Sequence, residues 1–333
     1  ATFLNEAEGR RLWRIHDAGS FAAAGRPGRL SRDDRASERL FAAIGAAVDR
    51  DAIARRRFKV VADVCQGVGA VTTRRFLEGL GCAVETVNEA PMGRFSRNPE
   101  PLPEHLRALR RAVVAGGADI GFAQDPDGDR LAVVSETGAP LGEEMTVVLA
   151  ASRVLAATPG PVVVNLSTTA LVDEMARGFG AAVHRSRIGE VNVVETMRGI
   201  GSPIGGEGNG GVIWPAVHCA RDSYVGMALI LDLLARTGGT AGGLAARYPR
   251  FVMIKRKVAL TAERRQRLFA ALGRRYRKER TDRTDGFKIV RADGWMHVRP
   301  SGTEPVVRII VEGKDGRTAR RHLDEISAVV SGG

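Results

Sequence analysis

Cysteine is scarce in this sequence, which has three cysteines among 333 residues. Cys65, Cys82 and Cys219 lie too far apart in the chain to form a metal-binding pair, and they suggest no disulfide framework. We therefore expect a cytoplasmic protein. Long apolar runs are also missing, because polar residues interrupt the best candidate, residues 145–157, which is typical of a packed helix. This absence argues against a membrane-spanning helix.

Aromatic residues are few, at 5% of the chain, whereas basic residues outnumber acidic ones by 50 to 38. The resulting formal net charge of +12 attracts anions. A nucleic-acid-binding surface needs basic residues in a stripe with aromatic residues between them, and the arginines here are scattered over several predicted helices. We therefore expect no nucleic-acid partner. The preference for arginine over lysine reflects genome composition. A phosphorylated small molecule is the anionic partner that remains compatible with the positive charge.

Hydrophobic periodicity divides the chain into units. The first part is polar and mainly helical, with helical spacing of apolar residues over 6–14 and 36–49. Two series of alternating strand and helix patterns follow, and then several strands with two helices. The sequence thus predicts a multi-domain α/β protein with two α/β mixed-sheet domains and a C-terminal α+β domain. The predicted units are residues 1–57, 58–158, 159–245 and 246–333.

An acidic loop is the sharpest local signal. Asp125, Asp127 and Asp129 alternate in the segment DPDGDR, between two apolar strand patterns. Three carboxylates so close repel one another unless a cation lies among them, and their hard oxygen atoms suit Mg²⁺ better than a soft metal. A solvated aspartate-rich hairpin turn is the alternative, because Asp, Pro and Gly are also common in turns.

A second loop, RPSGTEPVVR, carries groups that suit a phosphate dianion. It offers guanidinium groups, hydroxyls and backbone N–H groups around a sharp turn. These groups belong to Arg299, Ser301, Gly302, Thr303 and Arg308. An ordinary turn between two strands, with both arginines in solvent, is the alternative.

A third loop, GGEGNGG, places five glycines around Glu207 and Asn209. Glycine lets a backbone approach a ligand closely, and an acid in such a loop can accept hydrogen bonds from sugar hydroxyls. The spacing does not match a dinucleotide-binding fingerprint, and a flexible hairpin loop is the alternative. A weaker signal is Arg187, which lies just before a predicted helix whose N-terminus favours an anion.

Together the three loops, one in each predicted domain from residue 58 onward, resemble those of the α-D-phosphohexomutase family. DPDGDR resembles the metal loop of that family, GEGNGG its sugar-recognition loop, and RPSGTEP the phosphate loop of its last domain. NPEPLPEHL and VNLSTT are similar to further family segments. Within the family, the form GEGNGGV is similar to the archaeal-type branch of phosphoglucosamine mutases and phosphomannomutases.

The resemblance implies four domains around a central cleft, and Mg²⁺ as the cofactor. It implies a phosphoserine that converts a 1-phosphosugar into a 6-phosphosugar through a bisphosphorylated intermediate. Asp125, Asp127 and Asp129 would bind Mg²⁺, and Arg130 would contact the transferring phosphoryl group. Glu207 and Asn209 would hold the sugar hydroxyls, and the phosphate that is not reacting would be held by Arg299, Ser301, Gly302, Thr303 and Arg308. Arg187, singled out by its position before a predicted helix, is a further expected substrate-binding residue.

Two features depart from the family pattern. Gly211 stands where other branches have a histidine, so no general base is predicted. The phosphoserine loop of the family, T-x-S-H-N-P, has no counterpart, since Ser20, Ser31 and Ser37 are not followed by His-Asn-Pro. We therefore expect that the chain is incomplete, that residues 1–57 are a remnant of the first domain, and that the chain alone is inactive.

The function that the resemblance favours is phosphoglucosamine mutase, which converts glucosamine 6-phosphate into glucosamine 1-phosphate. Phosphomannomutase and phosphoglucomutase are alternatives, because their substrates differ from glucosamine phosphate by single substituents. A phosphosugar-binding protein that has no nucleophile and no turnover is another alternative. The sequence patterns do not determine the oligomeric state.

Overall fold

The computed structural model describes residues 3–22, 25–26, 28–90, 93–301 and 305–332. Within these ranges the chain forms three five-stranded sheets that follow one another in the sequence. None of the helices in these ranges is both long enough and apolar enough to cross a membrane.

Helices precede the first sheet. They are α1 (Glu6–Asp17), α2 (Ala36–Ala47) and α3 (Arg50–Arg56). α1 begins with a capping box in which Asn5 and Glu8 each accept a backbone N–H of the other, and it buries none of its side chains. The helix predicted over 36–49 is α2, which ends at Ala47, two residues earlier than predicted. A further helix, α3, follows it, and the Asp49 side chain caps α3 by accepting the N–H of Ala52 at 2.9 Å.

The first sheet contains both parallel and antiparallel strand pairs, and its central strands are buried. Its elements are β1 (Lys59–Asp63), α4 (Gly69–Gly79), β2 (Ala83–Val87), a 3₁₀ turn (Pro103–His105), α5 (Arg107–Gly116), β3 (Ile120–Gln124), β4 (Leu131–Ser135) and β5 (Pro140–Gly142). The strand order is β2-β1-β3-β4-β5, with β1 parallel to both neighbours and the last two pairings antiparallel. Every residue of β3 and β4 is buried, as their continuous apolar sequence requires. The acidic loop joins β3 to β4.

The second sheet repeats this plan. Its elements are α6 (Glu143–Leu155), β6 (Val162–Asn165), α7 (Leu171–Gly178), β7 (Val183–Ser186), α8 (Glu190–Ile200), β8 (Ile204–Glu207), β9 (Gly211–Trp214), β10 (His218–Arg221), α9 (Ser223–Thr237) and α10 (Ala241–Ala245). The strand order β7-β6-β8-β9-β10 has the same succession of parallel and antiparallel pairs as the first sheet. The glycine-rich loop joins β8 to β9 and therefore has the same position in its sheet as the acidic loop.

The two α/β units share one apolar core, in which α6 and α9 pack against each other. Twelve of the thirteen residues of α6 are buried, and its Arg153 pairs with Asp232 of α9 at 2.7 Å. α2 and α3 add Ile44 and Ile53 to the same core, although both helices lie before the boundary predicted at residue 58. The predicted domain boundaries stay a proposal.

The C-terminal unit is an antiparallel sheet with helices on one face. Its elements are β11 (Val252–Ala259), α11 (Ala262–Arg275), β12 (Arg280–Asp282), β13 (Phe287–Arg291), β14 (Gly294–Pro300), β15 (Val306–Gly313) and α12 (Gly316–Gly332). The strand order is β11-β15-β14-β13-β12. α11 and α12 cover an apolar core on one face, and the other face packs against the loop that follows β6. The predicted fold class, two α/β units with mixed sheets and a C-terminal α+β unit, is confirmed.

Candidate active site

The turn between β3 and β4 gathers the three predicted metal ligands. One carboxylate oxygen each of Asp125, Asp127 and Asp129 lies within 4.8 Å of the others. Asp125 is buried and accepts the backbone N–H of Arg130 at 3.1 Å. Burial, together with the negative charge of Asp129, raises the pKa of Asp125 to about 7. The three carboxylates are therefore crowded enough for a cation to relieve their repulsion.

The donor set fits a hard divalent cation. All three side chains offer carboxylate oxygen, the ligand type that Mg²⁺ prefers. Oδ1 of Asp129 is buried and has no hydrogen-bond donor among the described residues. A buried carboxylate oxygen without a donor costs free energy, and a cation at the triad would remove that cost.

The acidic loop is held in place by the loop after β1. The N–H of Val68 donates to the carbonyl oxygen of Pro126 at 2.9 Å. A Cβ atom at Gly67 would overlap the Pro126 backbone, so only glycine allows this approach. On the other side, Ser223 donates its N–H and its hydroxyl to the carbonyl oxygen of Gly128.

Arg130 lies beside the triad and lines a neighbouring cleft. Its Nε is 3.5 Å from Oδ2 of Asp125 and 3.6 Å from Oδ1 of Asp129. Its Nη1 is 3.9 Å from Glu100 across a neighbouring cleft, which both residues line. A guanidinium in this place can contact a phosphoryl group that approaches the triad.

The glycine-rich loop touches the acidic loop directly. The N–H of Leu131 donates to the carbonyl oxygen of Gly210 at 3.1 Å. A Cβ atom at Gly210 would overlap the Leu131 carbonyl oxygen, and one at Gly208 would overlap the carboxylate of Glu144. The glycines thus let two hairpin turns and a helix N-terminus meet without intervening side chains.

Glu207 is buried and strongly anchored. Its Oε1 accepts from Asn165 Nδ2 at 2.8 Å and from the N–H of Gly189 at 3.0 Å, and its Oε2 accepts from Arg221 Nη1 at 2.7 Å. A carboxylate accepts about four hydrogen bonds, so these three donors leave one position for a further donor. Asn209 lies at the turn and lines the same cleft.

Basic side chains stand side by side on the C-terminal sheet. Arg299 of β14 faces Arg308 of β15, which in turn faces Lys257 of β11. Arg299 Nε is 3.6 Å from Oδ1 of Asp285, and the N–H of Ser301 donates to the carbonyl oxygen of Val306 at 2.9 Å. This row of cations suits a phosphate dianion. The predicted ligands Gly302 and Thr303 lie outside the described residues.

A cleft of about 440 Å³ brings several of these groups together. Loops of the first unit, residues of the second unit and strands of the C-terminal sheet form its walls. The predicted residues that line it are Arg130, Glu207, Asn209, Arg299 and Arg308, whereas the three aspartates are not among the lining residues. Arg187 is placed elsewhere: it is more than half exposed, is not among the lining residues, and its Nη1 lies 3.3 Å from Glu6 of α1. The neighbouring Ile188 lines the cleft instead.

Sequence reasoning missed several charged residues of the site. Glu143 and Glu144 begin α6 and line the cleft together with Lys255, whose Nζ lies 2.6 Å and 3.5 Å from them. Burial raises the pKa of Glu144 to about 8, although the Lys255 ammonium opposes this shift. The acidic pair at a predicted helix start was a usable signal. No sequence signal marked Arg221, because its partners Glu207 and Asp129 lie 14 and 92 positions away in the chain.

Comparison with known proteins places the chain in a family. Residues 38–138 match phosphoglucomutase/phosphomannomutase alpha/beta/alpha domain II, and residues 142–251 match alpha/beta/alpha domain III. Residues 253–329 match the C-terminal domain of the same proteins. The first match begins twenty residues before the boundary predicted at residue 58.

Two archaeal relatives illustrate the similarity. A phosphoglucomutase/phosphomannomutase from Thermococcus kodakarensis is 38% identical over 85% of this chain, which spans 62% of that protein. A probable phosphoglucosamine mutase from the same organism is 30% identical over 98% of the chain, which spans 73% of that protein. The chain spans about three fifths of the length of the first curated relatives that it matches.

Solved structures show the same fold. A phosphoglucomutase/phosphomannomutase family protein from Burkholderia thailandensis has a TM-score of 0.85 and 24% identity, covering 99% of this chain and 70% of its own. An Aspergillus fumigatus N-acetylphosphoglucosamine mutase, solved in complex with GlcNAc-6P and magnesium, has a TM-score of 0.61 and 17% identity, covering 88% of this chain and 69% of its own. The matches to three consecutive domains and the two archaeal relatives agree, and the chain belongs to the α-D-phosphohexomutase family.

Proposed function

We propose that this chain forms the metal- and phosphosugar-binding part of a phosphohexomutase that acts on glucosamine phosphates. One observation carries the proposal. A single cleft is lined by Arg130 beside the aspartate triad, by the glycine-rich loop (residues 205–211, hereafter the sugar loop) and by Arg299 and Arg308. A bisphosphorylated hexose has two anionic ends and a hydroxylated middle, and the residues that line the cleft include arginines from two units together with Glu207 and Asn209. Relatives named as probable phosphoglucosamine mutases support the choice of sugar.

Each group of residues has its own role in the proposed function. Arg299 and Arg308 hold the phosphate that is not being transferred, with Ser301, Gly302 and Thr303 in the same loop. Glu207 and Asn209 bind sugar hydroxyls, and Arg130 stabilises the charge on the transferring phosphoryl group. Mg²⁺ held by Asp125, Asp127 and Asp129 would supply further neutralisation of that charge.

The chemistry requires a phosphorylated serine. In the first half-reaction a sugar hydroxyl oxygen bonds to phosphorus and gives up its proton, the bond from phosphorus to the serine oxygen breaks, and the serine oxygen takes up a proton to become a hydroxyl. The sugar bisphosphate then returns its other phosphate to the serine. No serine of this chain has the T-x-S-H-N-P context of the family, so in our account the chain alone binds the sugar phosphate without converting it.

Two alternative functions stay open. Phosphomannomutase or phosphoglucomutase activity is the alternative, supported by the name of the 38% identical relative. A phosphosugar-binding protein without turnover is a further candidate, which the missing serine context favours. The cytoplasmic location and the absence of a nucleic-acid partner stay predictions.

Calorimetric titration tests the proposed function. We expect saturable binding of glucosamine 6-phosphate to the chain in the presence of Mg²⁺, and at least tenfold weaker binding of glucosamine, which lacks the phosphate. Tighter binding of mannose 6-phosphate or glucose 6-phosphate would favour the alternative substrates. Absence of saturable binding of all three hexose phosphates would overturn the proposal.

A turnover assay separates the enzyme from the binding protein. A longer protein that carries a T-x-S-H-N-P segment ahead of residue 1 is expected to convert glucosamine 6-phosphate into glucosamine 1-phosphate. Binding without conversion by that longer protein would instead support the binding-protein candidate.

A further inference from the structure

Arg221 joins the acidic loop to the sugar loop. It is the last residue of β10, and its side chain is 15% exposed. Its Nη2 donates to Oδ2 of Asp129, and its Nη1 donates to Oε2 of Glu207 at 2.7 Å. Glu190 accepts the backbone N–H of Arg221 and lies 3.5 Å from its Nε. One planar guanidinium group therefore contacts both a predicted metal ligand and the predicted sugar ligand.

The path of the Arg221 side chain explains Gly211. A Cβ atom at position 211 would overlap the Cγ and Cδ atoms of Arg221. In this chain the space beside the end of the sugar loop is thus occupied by the aliphatic part of Arg221. Gly211 and Arg221 therefore form a matched pair, and a larger residue at 211 would displace the bridging guanidinium.

The bridge leaves one oxygen of Asp129 for a cation. Oδ2 of Asp129 is occupied by Arg221, whereas Oδ1 is buried and has no hydrogen-bond donor among the described residues. Arg130 Nε lies 3.6 Å from Oδ1, beyond hydrogen-bond distance. By holding Oδ2, Arg221 fixes the carboxylate plane of Asp129 and keeps its second oxygen among those of Asp125 and Asp127.

The same contact orients Glu207. Arg221 holds Oε2, so Oε1 stays with its donors Asn165 and Gly189. The guanidinium fork is rigid and planar, so a change in the position of Asp129 is transmitted to Glu207. Two loops that lie far apart in the sequence are thus connected by one charged, hydrogen-bonded group.

We propose that Arg221 is a positioning residue that orients Asp129 for a divalent cation and couples cation binding to sugar binding at Glu207. The identity of the sugar rests on the proposed function, whereas the effect on the cation does not. Two opposing effects act on the cation. The positive charge of Arg221 repels it, and the fixed orientation of Asp129 favours it. The proposal states that orientation outweighs repulsion, as for other residues that hold metal-binding carboxylates.

Titration with Mn²⁺ decides between the two effects. Binding of Mn²⁺ alone to the full chain is followed by the electron paramagnetic resonance signal of the free ion. The variants are R221Q, which removes the charge, and R221K, which keeps the charge but cannot contact both carboxylates. The matched control is R177Q, whose guanidinium pairs with Glu174 on the exposed face of α7.

We expect both Arg221 variants to bind Mn²⁺ about tenfold or more weakly than the unaltered chain, and R177Q to bind it equally well. Equal or tighter binding by R221Q and R221K would show that repulsion dominates and would overturn the proposal. Circular dichroism melts report whether each variant is folded. R221K, which retains the charge and the aliphatic part, decides the question if R221Q does not fold.

A second readout tests the coupling. With glucosamine 6-phosphate present, the Mn²⁺ affinity of the unaltered chain should change, and R221K should lose most of that change. If the unaltered chain binds no Mn²⁺, or if D127N binds it equally well, the proposed metal site itself is wrong and the Arg221 proposal fails with it. Mn²⁺ binding that needs Asp127 but not Arg221 overturns only the role of Arg221.

Discussion

At the scale of single residues, the site depends on close backbone approaches. Gly210 has a φ of +88°, and a Cβ atom there would overlap the carbonyl oxygen of Leu131, the first residue of β4 after the acidic loop. The left-handed conformation and the contact both exclude a larger residue. Gly210 therefore fixes the distance between the sugar loop and the acidic loop.

Replacing Gly210 by alanine tests this constraint. We expect G210A to lower the free energy of unfolding by about 2–3 kcal/mol, because the loops must separate or the backbone must adopt a strained φ. The matched control is G199A, since Gly199 lies in α8 with open space around its Cα and alanine favours the helix. Chemical denaturation measures both variants, and equal stability of G210A and G199A would contradict the close approach.

Single residues were predictable where a motif marked them. The alternating spacing of Asp125, Asp127 and Asp129 was sufficient to predict that their carboxylates meet, because a tight turn keeps near neighbours together. Arg187 was expected at the substrate on the basis of its position before a helix, but its side chain extends to Glu6 instead. Arg221 was missed because its partners belong to other loops, and contacts between loops leave no pattern in a local stretch of sequence.

At the scale of elements, the C-terminal sheet is attached to the second sheet by buried polar groups. Lys288 donates from Nζ to the carbonyl oxygen of Leu166 at 2.6 Å, and burial holds the pKa of its ammonium well below the usual range. His297 lies between the hydroxyl of Ser167, at 2.9 Å, and the carbonyl oxygen of Asp285, at 2.6 Å. These contacts require specific protonation states, so the attachment depends on pH.

The pH dependence of this interface has a defined sign. Burial lowers the pKa of His297 to about 4, whereas an unfolded histidine titrates near its ordinary value of 6.5. Below pH 6.5 the unfolded chain binds a proton that the folded chain does not bind until about pH 4, so His297 makes stability fall as the pH falls through this window. We expect a loss of about 2–3 kcal/mol from this residue between pH 7 and pH 4.

The variant H297Q removes this titration while keeping a polar side chain. Its free energy of unfolding should change with pH less steeply than that of the unaltered chain between pH 7 and pH 4. The control variant is H16Q, which removes an exposed histidine of α1 that takes no part in this interface. Parallel pH profiles for the unaltered chain and H297Q would contradict the buried, neutral state of His297.

The longer elements were predictable from apolar periodicity, and the shorter ones were not. α6 and α9 have enough turns to show a helical period, and the strands of the acidic hairpin are continuous apolar runs. β10, β12 and α10 have four, three and five residues, too few to show any period. The pairing of strands in the same order in two sheets depends on contacts between distant segments, which the sequence pattern does not contain.

At the scale of the whole molecule, charge is distributed unevenly. Residues 1–245 contain equal numbers of acidic and basic side chains, so the whole net charge of +12 belongs to residues 246–333. Some of these basic residues line the cleft, and many others are exposed on α11 and α12, on the opposite face of the sheet. Attraction of a sugar phosphate can therefore arise from the general field of this unit or from contacts in the cleft.

Two substitutions that remove one positive charge each separate these causes. R308Q removes a cleft arginine, and R274Q removes an exposed arginine near the end of α11. We expect R308Q to weaken glucosamine 6-phosphate binding at least tenfold, because charge-assisted hydrogen bonds need direct contact, and R274Q to weaken it less than twofold. Equal losses in a calorimetric titration would assign the attraction to net charge instead.

The arrangement of the whole cleft is the central claim. Loops of the first unit, residues of the second unit and strands of the C-terminal sheet line the cleft. We propose that a hexose with phosphate at both ends binds there between Arg130, beside the aspartate triad, and the row of cations on the C-terminal sheet. The family resemblance suggested which loops take part, and the structure brings Arg130, Glu207, Asn209, Arg299 and Arg308 to one volume.

A crystal structure of the chain with glucose 1,6-bisphosphate and Mn²⁺ tests this claim most directly. The account predicts one phosphate within hydrogen-bond distance of Arg299 and Arg308, the other beside Arg130, and the sugar hydroxyls at Glu207 and Asn209. It also predicts an anomalous signal from Mn²⁺ among the carboxylates of Asp125, Asp127 and Asp129. A bisphosphate bound outside this cleft, or a cleft that stays free of it at saturating concentration, would contradict the account.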